Sequence, residues 1–94
     1  MLQSKPLELG RLRGTIYDFP EINDILAMHT HSPENVHITI VARGKIRMSG
    51  GVTPDKIDWT REVLIGAIID WEPGQWHEFV GLESNTRIVN IIKA

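Results

Sequence analysis

Apolar and polar residues alternate along much of this chain with a period of two. Ile25, Ala27, His29 and His31 alternate with Leu26, Met28 and Thr30. Further on, Ile88, Asn90 and Ile92 stand opposite Val89 and Ile91. Successive side chains of a β-strand point to opposite faces, so such alternation predicts half-buried strands. Two other runs are apolar without alternation. Residues 36–48 are rich in β-branched side chains and interrupted at Gly44. Residues 63–71 read as a strand covered on both faces. Residues 11–19, 56–59 and 77–82 are weaker strand candidates, and Thr53-Pro54-Asp55 instead suits the start of a helical turn. Turn residues recur between these runs at Gly10, Gly14, Pro20, Asn23-Asp24, Ser49-Gly50-Gly51, Pro73-Gly74 and Ser84-Asn85. No stretch keeps a helical period for three turns. The pattern predicts an all-β antiparallel sandwich or barrel.

Length and composition narrow the reading. With 94 residues, 41% of them apolar, the chain suits one domain spanning residues 1–94. A domain of this size is marginal alone, and a bound metal or a second subunit stabilises it. A net charge of −2 argues against a nucleic-acid partner. Cysteine is absent, so disulfides and thiolate metal sites are excluded. Any metal must be held by His, Asp, Glu or water. No apolar run reaches the ~18 residues of a membrane helix, and residues 1–10 do not read as a signal peptide. The expectation is a cytoplasmic protein with no membrane partner.

The candidate chemistry lies in the four histidines, His29, His31, His37 and His77. His29 and His31 are two apart on a predicted strand and so share a face. Neutral imidazole is the commonest transition-metal ligand, and two on one face can chelate one ion. Each histidine alone is more simply a surface or hydrogen-bonded residue. His37 follows the loop of residues 32–36, and a hairpin there would set it beside the first pair. His77 follows the Pro73-Gly74 turn.

The full spacing resembles the cupin family. The family's first motif is G(x)5HxH(x)3–4E(x)6G. Here Asn23 stands at the first glycine, His29-Thr30-His31 supplies HxH, His37 takes the glutamate position and Gly44 closes the motif. The second motif is G(x)5PxG(x)2H(x)3N. Gly66 opens it, Glu72 takes the proline place, Pro73 falls in the free position, Gly74 and His77 match, and Gly81 replaces the last asparagine. The resemblance covers residues 23–81. It implies an antiparallel jelly-roll β-barrel holding one divalent transition metal (Fe, Mn, Ni, Co or Zn) on His29, His31, His37 and His77. His37 replaces an anionic ligand with a neutral one. Glu34 competes for that position, but its spacing to Gly44 departs from the motif, so it reads as a solvated loop carboxylate.

Other residues carry weaker signals. Arg43, Lys45 and Arg47 alternate around Gly44 and read as a solvated edge. Arg43 shares the parity of His37, Thr39 and Val41, so a regular strand would point it into the barrel, towards a substrate carboxylate. Trp59 and Trp71 read as core or interface residues, Trp76 as a residue at the barrel mouth, Tyr17 as a core tyrosine and Phe79 as a pocket wall. Gln75 has no assigned role, and no catalytic residue is identified. The resemblance implies a metal-dependent oxidoreductase of dioxygenase type acting on a small oxygenated molecule. A metal-dependent lyase or isomerase, with Glu34, Tyr17 or Glu72 as base, and a non-catalytic ligand- or metal-binding module are the alternatives. Finally, Leu7, Leu9, Leu12 and Ile16 have no obvious partner in a two-motif barrel. They point to a homodimer in which this segment adds to a neighbour's sheet, or else to a segment that covers its own barrel.

Overall fold

The computed structural model describes residues 1–30 and 36–93. Among these, nine strands and no helix are present: β1 (Gln3–Leu9), β2 (Leu12–Phe19), β3 (Ile25–His29), β4 (Val36–Arg43), β5 (Lys45–Gly51), β6 (Trp59–Leu64), β7 (Ile68–Trp71), β8 (Trp76–Gly81) and β9 (Thr86–Lys93). With no helix among the described residues, none is long and apolar enough to cross a membrane. All pairings are antiparallel. They form a five-stranded sheet in the order β1-β2-β9-β4-β7 and a four-stranded sheet in the order β3-β8-β5-β6. The two inner faces enclose a core of Phe19, Val41, Ile46, Met48, Phe79 and Ile88, with Trp71 at its edge. This is a jelly roll, as the resemblance implies, and it fits the all-β sandwich or barrel that the strand pattern predicts.

Gly44 does divide residues 36–48. Its φ of 82° lies in the left-handed region, and a Cβ there would sit 2.9 Å from Thr86 Cα. The chain thus turns from one sheet into the other where only glycine fits. Asn23, at the other motif glycine, also has a positive φ, of 73°.

Several local expectations fail for identifiable reasons. Residues 63–71 are not one strand. Gly66 (φ 92°) breaks the run, with β6 in the four-stranded sheet and β7 in the other. Leu64, Ile65 and Ile68 at this corner are exposed rather than covered. Thr53 and Lys56 form a β-bridge in place of a helical turn, and β6 begins only at Trp59. The segment at Leu7, for which the sequence leaves two placements open, pairs within its own chain: β1 forms a hairpin with β2, Leu7 lying opposite Gly14. Pro6 is tolerated there because β1 is an edge strand.

Candidate metal centre

Three of the four histidines meet inside the barrel. His77 on β8 lies directly opposite His29 on β3. Their rings are 4.4 Å apart and nearly perpendicular. His37 arrives from the other sheet, its ring 5.0 Å from that of His77. The expected hairpin between His31 and His37 is not the reason. β3 and β4 belong to different sheets, and His37 reaches the others across the sandwich. His31 and Glu34 lie outside the described residues.

Local geometry also departs from simple alternation. The β3–β8 register shifts between Leu26 and His29. This irregularity allows Leu26 to pack on the core while His29, an odd number of residues away, joins the cluster. A similar shift separates Val41 from Arg43 in the β4–β9 pairing. Arg43 therefore does not point inward. It is exposed, donates from Nε to the Asn85 carbonyl at 2.6 Å, and lies 3.7 Å from Asp18.

The ring nitrogens are ordered by backbone. His29 Nδ1 lies 2.8 Å from the Ala27 carbonyl, and His77 Nδ1 lies 3.2 Å from that of Gln75. A carbonyl only accepts, so in the neutral rings Nδ1 carries the hydrogen and Nε2 the lone pair. The Gln75 carbonyl also accepts from Thr30 Oγ1 at 3.0 Å. It ties the turn before His77 to the end of β3, a role that no side-chain pattern announces. His29 Nε2, His77 Nε2 and both nitrogens of His37 are shielded from solvent.

Neutral imidazoles with fixed tautomers and buried Nε2 atoms fit a transition-metal donor set. Among the described residues, no three His, Cys, Asp or Glu side chains are already arranged as a chelate. Closing round an ion therefore calls for the fourth imidazole or for ring rotation.

The wall behind the histidines is aromatic. Trp71 stacks on His77 at 4.4 Å and 20°, and Trp59 stacks on Trp71 at 5.7 Å. Phe79, fully buried in the core, lies 5.5 Å from His77. Tyr17 packs half-buried against the core, and Trp76 is half-buried at the start of β8. Trp71 Nε1 donates to Thr39 Oγ1 at 2.8 Å, and Thr39 Oγ1 donates to Asn90 Oδ1 at 2.6 Å. Indole N–H can only donate, so Thr39 Oγ1 accepts from Trp71, and its own hydrogen goes to Asn90 Oδ1. Asn90 Nδ2 is buried with no hydrogen-bond partner among the described residues. Sequence reasoning passed over Thr39 and Asn90. Their one signal was polar residues on strand faces that otherwise turn inward.

A groove of about 730 Å³ runs between β6 and β7, the free edges of the two sheets. Trp59, Trp71 and Met48 form its apolar wall, and Arg61, Asp70 and Glu72 bring charge to it. It ends on the indole that covers His77.

No family model and no curated protein matches this sequence. Likeness appears in three dimensions. KdgF from Halomonas sp. superposes with a TM-score of 0.77 over 97% of this chain and 78% of its own, at 16% identity. An RmlC-like cupin protein from Desulfovibrio desulfuricans gives 0.80 over 98% and 81%, at 14% identity. A cupin domain of an XRE family transcriptional regulator from Enterobacter cloacae gives 0.75 over 99% and 96%, at 15% identity. Identities this low show the fold alone: the chain has the jelly-roll fold of these cupin proteins.

Proposed function

We propose that the chain is a metal-binding cupin in which His29, His31, His37 and His77 hold one divalent transition metal, and that it oxidises a small oxygenated molecule with dioxygen. The observation that carries this reading is the meeting of His29, His37 and His77 from three strands, with two tautomers set by the carbonyls of Ala27 and Gln75. A bound ion supplies Lewis-acid polarisation of a substrate oxygen and, as iron or manganese, redox chemistry with dioxygen. The chain's own part is to present neutral donors, to hold His77 against Trp71, and to offer the groove beside β6 and β7 as a path for substrate. The test is elemental analysis of the purified protein, followed by oxygen uptake by its iron and manganese forms with enolisable and diol substrates. One metal per chain with substrate-dependent uptake supports the reading. Metal without uptake for any substrate removes the oxidase part.

A second reading, a metal-dependent lyase or isomerase, draws on Glu72, a carboxylate in the groove that can serve as base. Substrate turnover without oxygen, lost in Glu72→Gln, would favour it. A third, a ligand-binding module, draws on the cupin domain of a transcriptional regulator among the similar folds.

A further inference from the structure

One charge on the four-stranded sheet has the parity of the core. Arg61 lies between Trp59 and Val63 on β6, and both of those pack against the core. Alternation puts Arg61 on the same face. Register agrees: Arg61 lies opposite Met48, Met48 opposite Phe79, and Phe79 opposite Leu26. Directly opposed residues share a face, so an arginine ends an otherwise apolar row of the inner face. The other charged residues on these strands, Lys45, Arg47, Glu62 and Glu78, fall on the opposite parity. The inward arginine that strand parity suggests at Arg43 is found instead at Arg61. It stays exposed because β6 is an edge strand, and it lines the groove that opens towards β7.

The opposite bank carries the opposite charge. Asp70 and Glu72, on either side of Trp71, are exposed and line the same groove. Among the described residues, Arg61, Asp70 and Glu72 form no ion pair with one another or with any other group. Between the two banks the lining is apolar, with Met48 and Ile69 beside the stacked Trp59 and Trp71. The volume of about 730 Å³ lies within the ~300–1,000 Å³ of small-molecule sites.

We propose that this groove binds an amino acid with an apolar side chain: Arg61 holds its carboxylate, Asp70 and Glu72 hold its ammonium, and its side chain lies on Trp59, Trp71 and Met48. The inference rests on the reading of the groove as the path for substrate, and it names the substrate class. Charge complementarity selects this ligand. A pure anion would satisfy Arg61 but face two carboxylates, and a pure cation would satisfy the carboxylates but face Arg61. A zwitterion answers both banks at once. The guanidinium fork matches a carboxylate, and the three N–H donors of an ammonium match carboxylate oxygens.

The test is tryptophan fluorescence of the full chain as purified, titrated with leucine and with phenylalanine. Each is compared with its analogue lacking the amine (isocaproate, phenylpropanoate) and its analogue lacking the carboxylate (isoamylamine, phenethylamine). Each amino acid should bind about tenfold or more tightly than either of its analogues, the scale of one lost charge-assisted contact. Arg61→Gln should weaken amino-acid binding by a similar factor and leave the amines unaffected. Asp70→Asn combined with Glu72→Gln should weaken amino-acid binding and leave the carboxylates no weaker. All three positions are exposed, so an unchanged circular dichroism spectrum is expected of each variant. Amino acids no tighter than their analogues would overturn the proposal. So would selectivity that survives both sets of substitutions, which would place the ligand on the histidines and leave Arg61 as a charge that blunts the edge of β6. The metal content of the same samples is read separately: chain without metal that keeps this selectivity would sink the metal reading alone.

Discussion

The imidazole of His77 and the indole of Trp71 lie nearly parallel, 20° from coplanar orientation with centroids 4.4 Å apart. One aromatic residue thus forms the back of the histidine cluster, the end of the groove and the edge of the core. Trp71→Ala removes all three and is expected to cost about 3–5 kcal/mol, read by denaturant unfolding. Trp71→Phe keeps a ring against His77 and should cost less, with metal binding retained.

Metal binding should distinguish the histidines from the Glu34 carboxylate. His77→Ala and His37→Ala are each expected to abolish stoichiometric binding by the metal-loaded chain, measured by elemental analysis after dialysis. Glu34→Ala should leave it nearly intact. Binding should weaken on acidification, because a ligating imidazole must be neutral. Loss of metal in Glu34→Ala with retention in His37→Ala would reverse the ligand assignment.

The strands around residues 25–29, 36–48 and 87–92, the break at Gly44 and the turn at Asn23 were legible because each depends on local chemistry: apolar and β-branched patterning, and residues that tolerate positive φ. The histidine cluster was legible by spacing, though the route by which His37 reaches it was not. Register shifts at Leu26–His29 and at Val41–Arg43 depend on the partner strand, which no one-dimensional pattern contains. This is why Leu26 turned inward and Arg43 outward against their parity. The exposed Leu64, Ile65 and Ile68 misled for a related reason. An apolar run reads as covered on both faces whether or not the chain itself supplies the cover.

Gly44 offers a direct test of the corner between the sheets. An alanine there would hold a positive φ and press its Cβ on Thr86, whose Oγ1 donates to the Glu83 carbonyl at 2.9 Å. Gly44→Ala should destabilise the fold by at least about 1 kcal/mol, seen as a lower denaturation midpoint with an unchanged slope. A neutral result would mean that the corner relaxes freely.

Acid stability should follow Asp18. Arg87 donates to it twice, at 2.7 and 3.1 Å, and this pairing holds its carboxyl below the ordinary value of 3.8. A carboxyl with a depressed folded pKa contributes stability that is fully present above its unfolded pKa. That contribution is lost as pH falls through the folded value. Asp18→Asn should therefore be less stable than the native chain at neutral pH, and the gap should close as pH drops below about 4. Parallel stability curves for the two proteins down to pH 2 would show that the ion pair contributes nothing.

The buried chain from Trp71 through Thr39 to Asn90 yields the sharpest energetic prediction. Thr39 accepts from the indole and donates to the amide, so Thr39→Val strands two buried groups at once: the Trp71 N–H and Asn90 Oδ1. Asn90 Nδ2 already lacks a partner among the described residues. Each stranded group costs about 1–3 kcal/mol, whereas replacing polar partners together by apolar groups of similar shape approaches neutrality. Thr39→Val should thus cost about 2 kcal/mol or more. Adding Asn90→Leu should restore stability, because it deletes both amide atoms and leaves only the indole N–H unpaired. Trp71→Phe in the same background removes that last donor. Unfolding free energies for Thr39→Val and for the pair Thr39→Val, Asn90→Leu decide the matter. A double variant less stable than Thr39→Val alone would mean that Asn90 contributes through contacts other than this chain.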